Sequence, residues 1–183
     1  MLDDIRRSLG VHFARFQFRR LPNHVVPFGS AVSAARSALL IMPFNPGQFL
    51  PTITVISTLR EHFGDQNITV ITGGRGMEVA HMLPRGRFIH VLKTDLNLLF
   101  LPTTYILKQI TERPYDLAID LNLDLVVPSG YICRASGAKV RVGFVSRYAD
   151  VFYNFQVKPD TTLGQKLIYD RLANCLKMFL AGG

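Results

Sequence analysis

Two short segments carry the side chains best suited to bind a ligand. The first, Phe44-Asn-Pro-Gly-Gln48, follows an apolar run of strand length and precedes a helical pattern. The second follows the apolar run that ends at Asp120. Polar groups at the ends of buried parallel strands face the crevice where such sheets bind ligands. We therefore predict a ligand site of six residues: Phe44, Asn45, Gly47 and Gln48, with Asp120 and Asn122 across the crevice.

A structural role is the alternative for the acidic segment. Asp120, Asn122 or Asp124 can instead cap the next helix or close a turn, because Asp and Asn side chains accept hydrogen bonds from nearby backbone N–H groups. The residue types alone favour this alternative.

Other patterns that could do chemistry are weaker. Thr72-Gly-Gly-Arg-Gly-Met77 could hold an anion, but it lacks the third glycine of a dinucleotide fingerprint and the Gly-Lys-Ser/Thr of a triphosphate loop. A strand-to-helix turn is therefore favoured.

The five histidines and two cysteines have no metal-ligand spacing. We predict no metal site and no cofactor, and we interpret Cys133 and Cys175 as buried thiols in a reducing compartment.

The N-terminal part of the chain is basic. The net charge is +8, and residues 1–36 contain six arginines and two aspartates. A helix over residues 2–20 would carry one apolar stripe, formed by Leu2, Ile5, Leu9, Phe13 and Phe16. This helix either lies on anionic lipid or packs its stripe on its own domain or on a partner, and the second is commoner. Nucleic acid is the least favoured partner. The predicted membrane or partner contacts are Arg6, Arg7, Phe13, Arg15, Phe16 and Arg19.

Targeting signals are not evident in the sequence. Met1-Leu-Asp-Asp opens acidic and no apolar secretory core follows it, while no segment approaches the roughly 20 apolar residues of a spanning helix. We expect a cytoplasmic protein, held at most peripherally at the inner membrane.

From residue 37 onward, apolar runs of strand length alternate with helix-length segments. The predicted strands are residues 38–42, 67–72, 87–92, 116–121 and 140–145. The predicted helices are residues 52–63, 76–83, 96–113 and 126–136, followed by a last helix, and Pro102 starts or kinks the third. This alternation predicts an α/β, Rossmann-like domain over residues 37–183 with a parallel five-stranded sheet, preceded by a helix and connector in residues 1–36.

Four segments in order resemble motifs of one family. Residues 39–48 are similar to a strand-Arg-Pro-Ser-x-x-Gly-Asp opening, and residues 113–121 to a Tyr-Asp-hydrophobic-hydrophobic-Asp strand. Gly137-Ala-Lys-Val-Arg-Val-Gly-Phe144 resembles a Gly-Ala-x-x-Arg-hydrophobic-Gly-Phe segment, and residues 149–154 a Phe-Tyr-Asn stretch before an interdomain helix. Together they resemble the N-terminal half of glycosyltransferase family nine, the lipopolysaccharide heptosyltransferases of Gram-negative bacteria.

The resemblance implies one half of a GT-B architecture, in which this domain holds a lipid-linked acceptor and a second domain binds the nucleotide-sugar donor. The chain ends where that second domain is expected, so the partner would be a donor-domain chain or a second copy. The aspartate that the family is proposed to use as a general base corresponds to Gln48, whose carboxamide cannot accept a proton. The arginine before the first proline of the family motif corresponds to Met42. No residue is therefore predicted to be catalytic.

The implied function is binding of a saccharide or lipid-linked saccharide by an incomplete or degenerate glycosyltransferase, expected to be inactive as a single chain of 183 residues. The alternative is a non-enzymatic interaction or membrane-surface module that uses the Rossmann-like core as a scaffold.

Overall fold

The computed structural model describes residues 2–21, 26–73 and 77–182. The strands in these residues are β1 (Ala38–Ile41), β2 (Ile68–Gly73), β3 (Arg87–Val91), β4 (Leu117–Asp120), β5 (Val140–Phe144) and β6 (Phe155–Val157). The α-helices are α1 (Leu2–Phe18), α2 (Phe28–Ser33), α3 (Ile53–Phe63), α4 (Met77–Met82), α5 (Thr104–Thr111), α6 (Val127–Ala135) and α7 (Gln165–Leu180).

The six strands form one parallel sheet in the order β3-β2-β1-β4-β5-β6. This confirms the predicted α/β, Rossmann-like fold, but the predicted number of five strands is wrong. The extra strand, β6, pairs with β5 at the sheet edge through Val142 and Phe155. With only three residues, β6 is too short to show the alternation by which a strand is recognised in a sequence.

Strand β1 lies at the centre of the sheet, and all four of its side chains are buried. Because successive side chains of a strand point to opposite faces, Leu40 packs with α3 and α7 while Leu39 and Ile41 pack with α1, α5 and α6. Burial on both faces explains why this strand reads as a continuous apolar run.

Helix α7 packs back on its own domain. Ile168 and Leu172 belong to the same buried cluster as α3, and Thr54 Oγ1 donates a hydrogen bond to Asp170 over 2.6 Å. Tyr169 OH donates to the carbonyl oxygen of Leu121 over 2.6 Å, just beyond the end of β4. The final helix therefore supports the carboxyl edge of the sheet from one side.

Helix α1 packs on the opposite side, but with a different face from the one expected. Val11, Ala14 and Phe18 are buried, and the Phe18 ring lies 4.8 Å from the ring of Tyr131 on α6. The predicted stripe is exposed, at Leu2, Ile5, Leu9, Phe13 and Phe16. The interpretation that this stripe packs on its own domain is therefore wrong.

Two further boundaries differ from those predicted. The helix predicted over residues 96–113 begins at Thr104, close to Pro102, where a start or kink is predicted, because proline disfavours a helical conformation in the residue before it. Helix α2 begins within the predicted connector. Within the glycine-rich turn after β2, Gly74, Arg75 and Gly76 lie outside the described residues.

The contact between α1 and the segment before α5 depends on a glycine. A Cβ atom at Gly10 would collide with the backbone carbonyl oxygen of Leu99. This close approach seats α1 beside the segment that joins β3 to α5.

We expect Gly10→Ala to destabilise the protein by about 1–3 kcal/mol, the usual cost of overpacking. Alanine in an exposed helix would instead stabilise by about 1 kcal/mol relative to glycine, so the sign of the change distinguishes packing from helix propensity. The measurement is urea unfolding. The control is Gly164→Ala at the N-cap of α7, where the added Cβ has nothing within 4 Å outside its chain neighbours and φ is −64°, so its effect reports the N-cap preference and not packing. A stabilised Gly10→Ala protein would contradict the contact.

Candidate functional site

The sheet has its topological switch point between β1 and β4. The chain continues from β1 to β2 on one side, whereas β4 pairs with the other side of β1. The loops that follow two such strands diverge, and the crevice between them is where open α/β sheets bind ligands. Phe44 and Asn122 lie on these two loops.

The side chain of Asn122 joins the two loops. Its Oδ1 accepts a hydrogen bond from the N–H of Phe44 over 3.0 Å, while its Nδ2 donates to Asp120 Oδ1 over 2.7 Å. Asn122 is itself buried. It therefore fixes the turn after β1 relative to the end of β4 and holds Phe44 at the crevice.

Asp120 lies behind this junction and is directed into the protein. Its side chain is 1% exposed. Oδ1 accepts the N–H of Asn122 over 3.0 Å, and Oδ2 accepts the hydroxyl of Tyr153 over 2.8 Å. Burial raises the pKa of the Asp120 carboxyl, although hydrogen bonds from Ser129, Asn122 and Tyr153 oppose the rise. These bonds favour the structural interpretation of Asp120 over direct ligand contact.

Tyr153, the donor to Asp120, is flanked in the chain by two residues that accept hydrogen bonds from β5, Phe152 and Asn154. Buried Arg141 on β5 donates from Nε to the carbonyl oxygen of Phe152 over 3.0 Å, and its N–H donates to Asn154 Oδ1 over 2.7 Å. Burial also lowers the pKa of Arg141 to about 10. The four segments that resemble the glycosyltransferase family thus meet in one region, on β1, β4, β5 and the turn before β6.

A groove of about 920 Å³ opens at this edge of the sheet. It lies between the start of α1 and the loops that follow β1, β3 and β4. Its larger apolar side chains include Phe44, Leu96, Phe100 and Leu125. Its charged side chains are Asp3, Arg6, Arg7, Lys93 and Asp124. The groove therefore offers aromatic surface together with an excess of positive charge.

The loop after β3 is shaped by Asn97. The Oδ1 atom of Asn97 accepts the N–H groups of Leu99 and Leu101 over 2.9 and 3.1 Å. Within this tight loop Phe100 adopts φ 59°, a left-handed conformation that is uncommon for a bulky residue. The result is that the Phe100 ring lies 4.5 Å from the guanidinium carbon of Arg6.

The cations of the groove differ in how far they are already engaged. Arg6 donates from Nε to the carbonyl oxygen of Leu98 over 2.7 Å and pairs with Asp3 over 3.1 Å. Lys93 has no ion-pair partner among the described residues and is exposed. Helix α6 also begins at the groove, and its first-turn N–H groups lack intrahelical acceptors. Lys93 is therefore the cation of the groove that is most available to bind an anionic group.

The structure separates the six predicted ligand residues. Phe44 lines the groove, and Asn122 holds Phe44 in place by accepting its N–H. Asn45 instead accepts the N–H of Gly47 over 3.1 Å, and Gln48 ends the 3₁₀ turn Pro46–Gln48. These three turn residues and Asp120 do not belong to the described lining of the groove.

Sequence reasoning missed most of the groove lining. The helix predicted over residues 96–113 includes Leu96 to Phe100, which the structure places in a loop. Pro102, where a start or kink of this helix is predicted, is the signal that the apolar residues before it form a loop. Arg6 and Arg7 were predicted as membrane or partner contacts, and they lie in the groove lining.

The sequence predicts no metal site and two buried thiols. Within residues 2–21, 26–73 and 77–182, no group of three or more His, Cys, Asp or Glu side chains could hold a metal ion. Both cysteines are free thiols. Cys133 is buried and Cys175 is partly buried, so the expectation of a buried thiol fits Cys133 better.

We expect Tyr153→Phe to lower the free energy of unfolding by about 1–3 kcal/mol, because a buried acceptor on Asp120 loses its donor. Tyr105→Phe is the matched control, since Tyr105 is 67% exposed and its change should stay within about 0.5 kcal/mol. Urea unfolding of both variants measures the difference. Equal effects would show that the Asp120–Tyr153 bond does not stabilise the fold.

The raised pKa of Asp120 gives a pH-dependent prediction. The folded protein retains this proton at pH values where the unfolded chain has lost it, so this stability is lost as pH rises from 3.8 through the folded-state pKa. Asp120→Asn removes that loss and should gain stability relative to the unmodified protein as pH rises through this window. Urea unfolding at a series of pH values gives the difference in the free energy of unfolding between the two proteins. The other carboxylates are common to both proteins, so their contributions cancel in this difference. A difference independent of pH would be contrary evidence.

Comparisons of this chain with protein-family models, with curated proteins and with solved structures found no match. The resemblance to glycosyltransferase family nine therefore stays a prediction that depends on its four segments, while the α/β fold is shown by the structure itself.

Proposed function

We propose that this chain is an acceptor-binding domain resembling that of glycosyltransferase family nine, which binds an anionic saccharide or lipid-linked saccharide without transferring sugar by itself. The observation that carries the proposal is the groove at the switch point. It occupies the place where open α/β sheets bind ligands, and loops from three strands and one helix end converge there.

The chemistry of the lining supports a ligand with both apolar and anionic parts. Binding sites combine aromatic surface with a few polar groups that fix orientation, and here Phe44 and Phe100 provide the aromatic surface. Lys93 and Arg7 can bind phosphate or carboxylate oxygens by charge-assisted hydrogen bonds. The carboxylates of Asp3 and Asp124 can accept hydrogen bonds from sugar hydroxyls.

The geometry around the resembling segments also supports this proposal. Tyr153, Asn154 and Arg141 belong to the segments that carry the resemblance. Tyr153 donates to Asp120 on β4, and the N–H of Arg141 on β5 donates to Asn154, so the turn before β6 is bonded to both strands. We propose that these bonds hold β4 in place, and the loop that follows β4 lines the groove.

We expect this chain to bind a saccharide without transferring sugar, because Gln48 stands where the family has its general base. The family's aspartate falls at Gln48, which has no titratable group for proton abstraction. General-base catalysis contributes about 10²- to 10⁴-fold. Asp120 does not replace it, because its carboxylate is buried and hydrogen-bonded within the protein. The site is therefore suited to recognition.

The test is calorimetric titration with a phosphorylated core saccharide of lipopolysaccharide and with the same saccharide after phosphate removal. We expect the phosphorylated form to bind more tightly. At 100 times its Kd it should stabilise the protein by about 2.7 kcal/mol. Lys93→Glu should weaken binding by about tenfold or more, since a hydrogen bond to a charged group contributes about 1.5–3 kcal/mol.

Lys177→Glu is the matched control, because Lys177 is an exposed lysine on α7, across the sheet from α1. It should leave the affinity unchanged. If both variants weaken binding equally, the effect comes from the change in net charge and not from a contact of Lys93 with the ligand. Stabilisation by a nucleotide sugar, with no binding of the saccharide, would contradict an acceptor site.

A further inference from the structure

Helix α1 has two apolar faces, and the described part of the domain covers one of them. Val11, Ala14 and Phe18 face the core. At about 100° per residue, the other apolar residues lie on the opposite side of the helix. Their exposed fractions are 71% for Leu2, 52% for Ile5, 52% for Leu9, 49% for Phe13 and 62% for Phe16. We call these five residues the outer stripe.

The outer stripe is continuous and free of charged residues. It runs from Leu2 to Phe16, which is about 21 Å at a rise of 1.5 Å per residue. Leu98, 80% exposed, lies close to its N-terminal end because its carbonyl oxygen accepts a hydrogen bond from Arg6. Contiguous exposed apolar surface of this kind marks an interaction site.

The charges beside the outer stripe are positive. Arg15 and Arg19 lie between the two apolar faces, and the Arg19 guanidinium carbon lies 4.2 Å from the centre of the Phe16 ring. Asp3 and Asp4 are engaged by Arg6 and Arg7 over 3.1 and 3.8 Å. The unbalanced charge along the C-terminal half of the helix is therefore basic.

We infer that the outer stripe docks on a membrane surface with anionic headgroups. A helix with an apolar face and basic flanks lies in the plane of the interface, where arginine stems extend along apolar groups and place their charges among the headgroups. A second copy of the chain packed with its α1 parallel would bring its own Arg15 and Arg19 against these cations, and an antiparallel copy would find Asp3 and Asp4 already engaged by Arg6 and Arg7. The inference does not depend on saccharide binding in the groove.

The structure is compatible with a surface orientation of α1. No helix in the described residues is long and apolar enough to cross a bilayer. The groove opens beside the N-terminal end of the same helix, since Asp3, Arg6 and Arg7 line it. Docking would therefore bring the groove close to the headgroup layer.

The experiment is co-sedimentation of the full chain with vesicles of phosphatidylcholine alone and of phosphatidylcholine mixed with phosphatidylglycerol. We expect binding to the mixed vesicles that weakens as salt is raised. Phe13→Ser/Phe16→Ser should reduce the partition coefficient by about tenfold or more, because burying a phenylalanine stabilises by about 1.5–3 kcal/mol. Arg15→Gln/Arg19→Gln should reduce it about fivefold per arginine, from about 1 kcal/mol each.

Leu167→Ser/Met178→Ser is the matched control, because these residues are 44% and 69% exposed on α7; it should bind as the unmodified protein does. Leu2→Ser/Ile5→Ser tests the other end of the outer stripe if the first variant fails to fold. Failure of the unmodified protein to bind the mixed vesicles would overturn the inference, as would undiminished binding by a folded stripe variant. A dimer that dissociates on Phe13→Ser/Phe16→Ser, without vesicle binding, would also overturn it and assign the stripe to a second copy.

Discussion

The hydrogen bonds of Asn122 are the constraint on which the rest of the site depends. The chain diverges after β1 and β4, and among the described residues the last backbone hydrogen bond between them runs from the Leu121 N–H to the carbonyl oxygen of Ile41 over 2.9 Å. Asn122 spans the gap through Phe44 N–H and Asp120 Oδ1. Because Asp120 is in turn held by Tyr153, the junction extends to the turn before β6. This chain of contacts holds Phe44, which lines the groove, against the end of β4.

A second constraint is the way that α1 completes the groove. A glycine at position 10 lets the helix approach the carbonyl oxygen of Leu99, and the Asn97-centred loop places Phe100 against Arg6. The same packing turns Phe13 and Phe16 away from the domain. The position of α1 therefore determines two surfaces. It places Arg6 and Arg7 in the groove lining and leaves the outer stripe exposed beside the groove.

The fold was largely predictable from the sequence, and the site only in part. Continuous apolar runs such as Leu39 to Ile41 identify strands buried on both faces, so the parallel sheet could be derived. The orientation of α1 could not, because the exposed stripe is larger and more regular than the buried face formed by Val11, Ala14 and Phe18. Amphipathic spacing shows that a helix has an apolar face, but tertiary packing decides which face is covered.

The groove lining was missed for a related reason. Leucines before Pro102 imitate helical periodicity, whereas Asn97 and the left-handed Phe100 form a loop there. Asp120 was recognised as the end of a strand, but its burial depends on Tyr153, which lies 33 residues away in the sequence. Such long-range contacts leave no local spacing by which to recognise them.

We propose the groove at the switch point as the ligand site, and backbone amide shifts in nuclear magnetic resonance spectra test this assignment while a phosphorylated core saccharide is added. We expect shifts at Phe44, at residues 93–100 and at residues 124–129, with α7 unchanged. Shifts confined to α7 or to the sheet edge at β6, or no shifts at saturating saccharide, would contradict it.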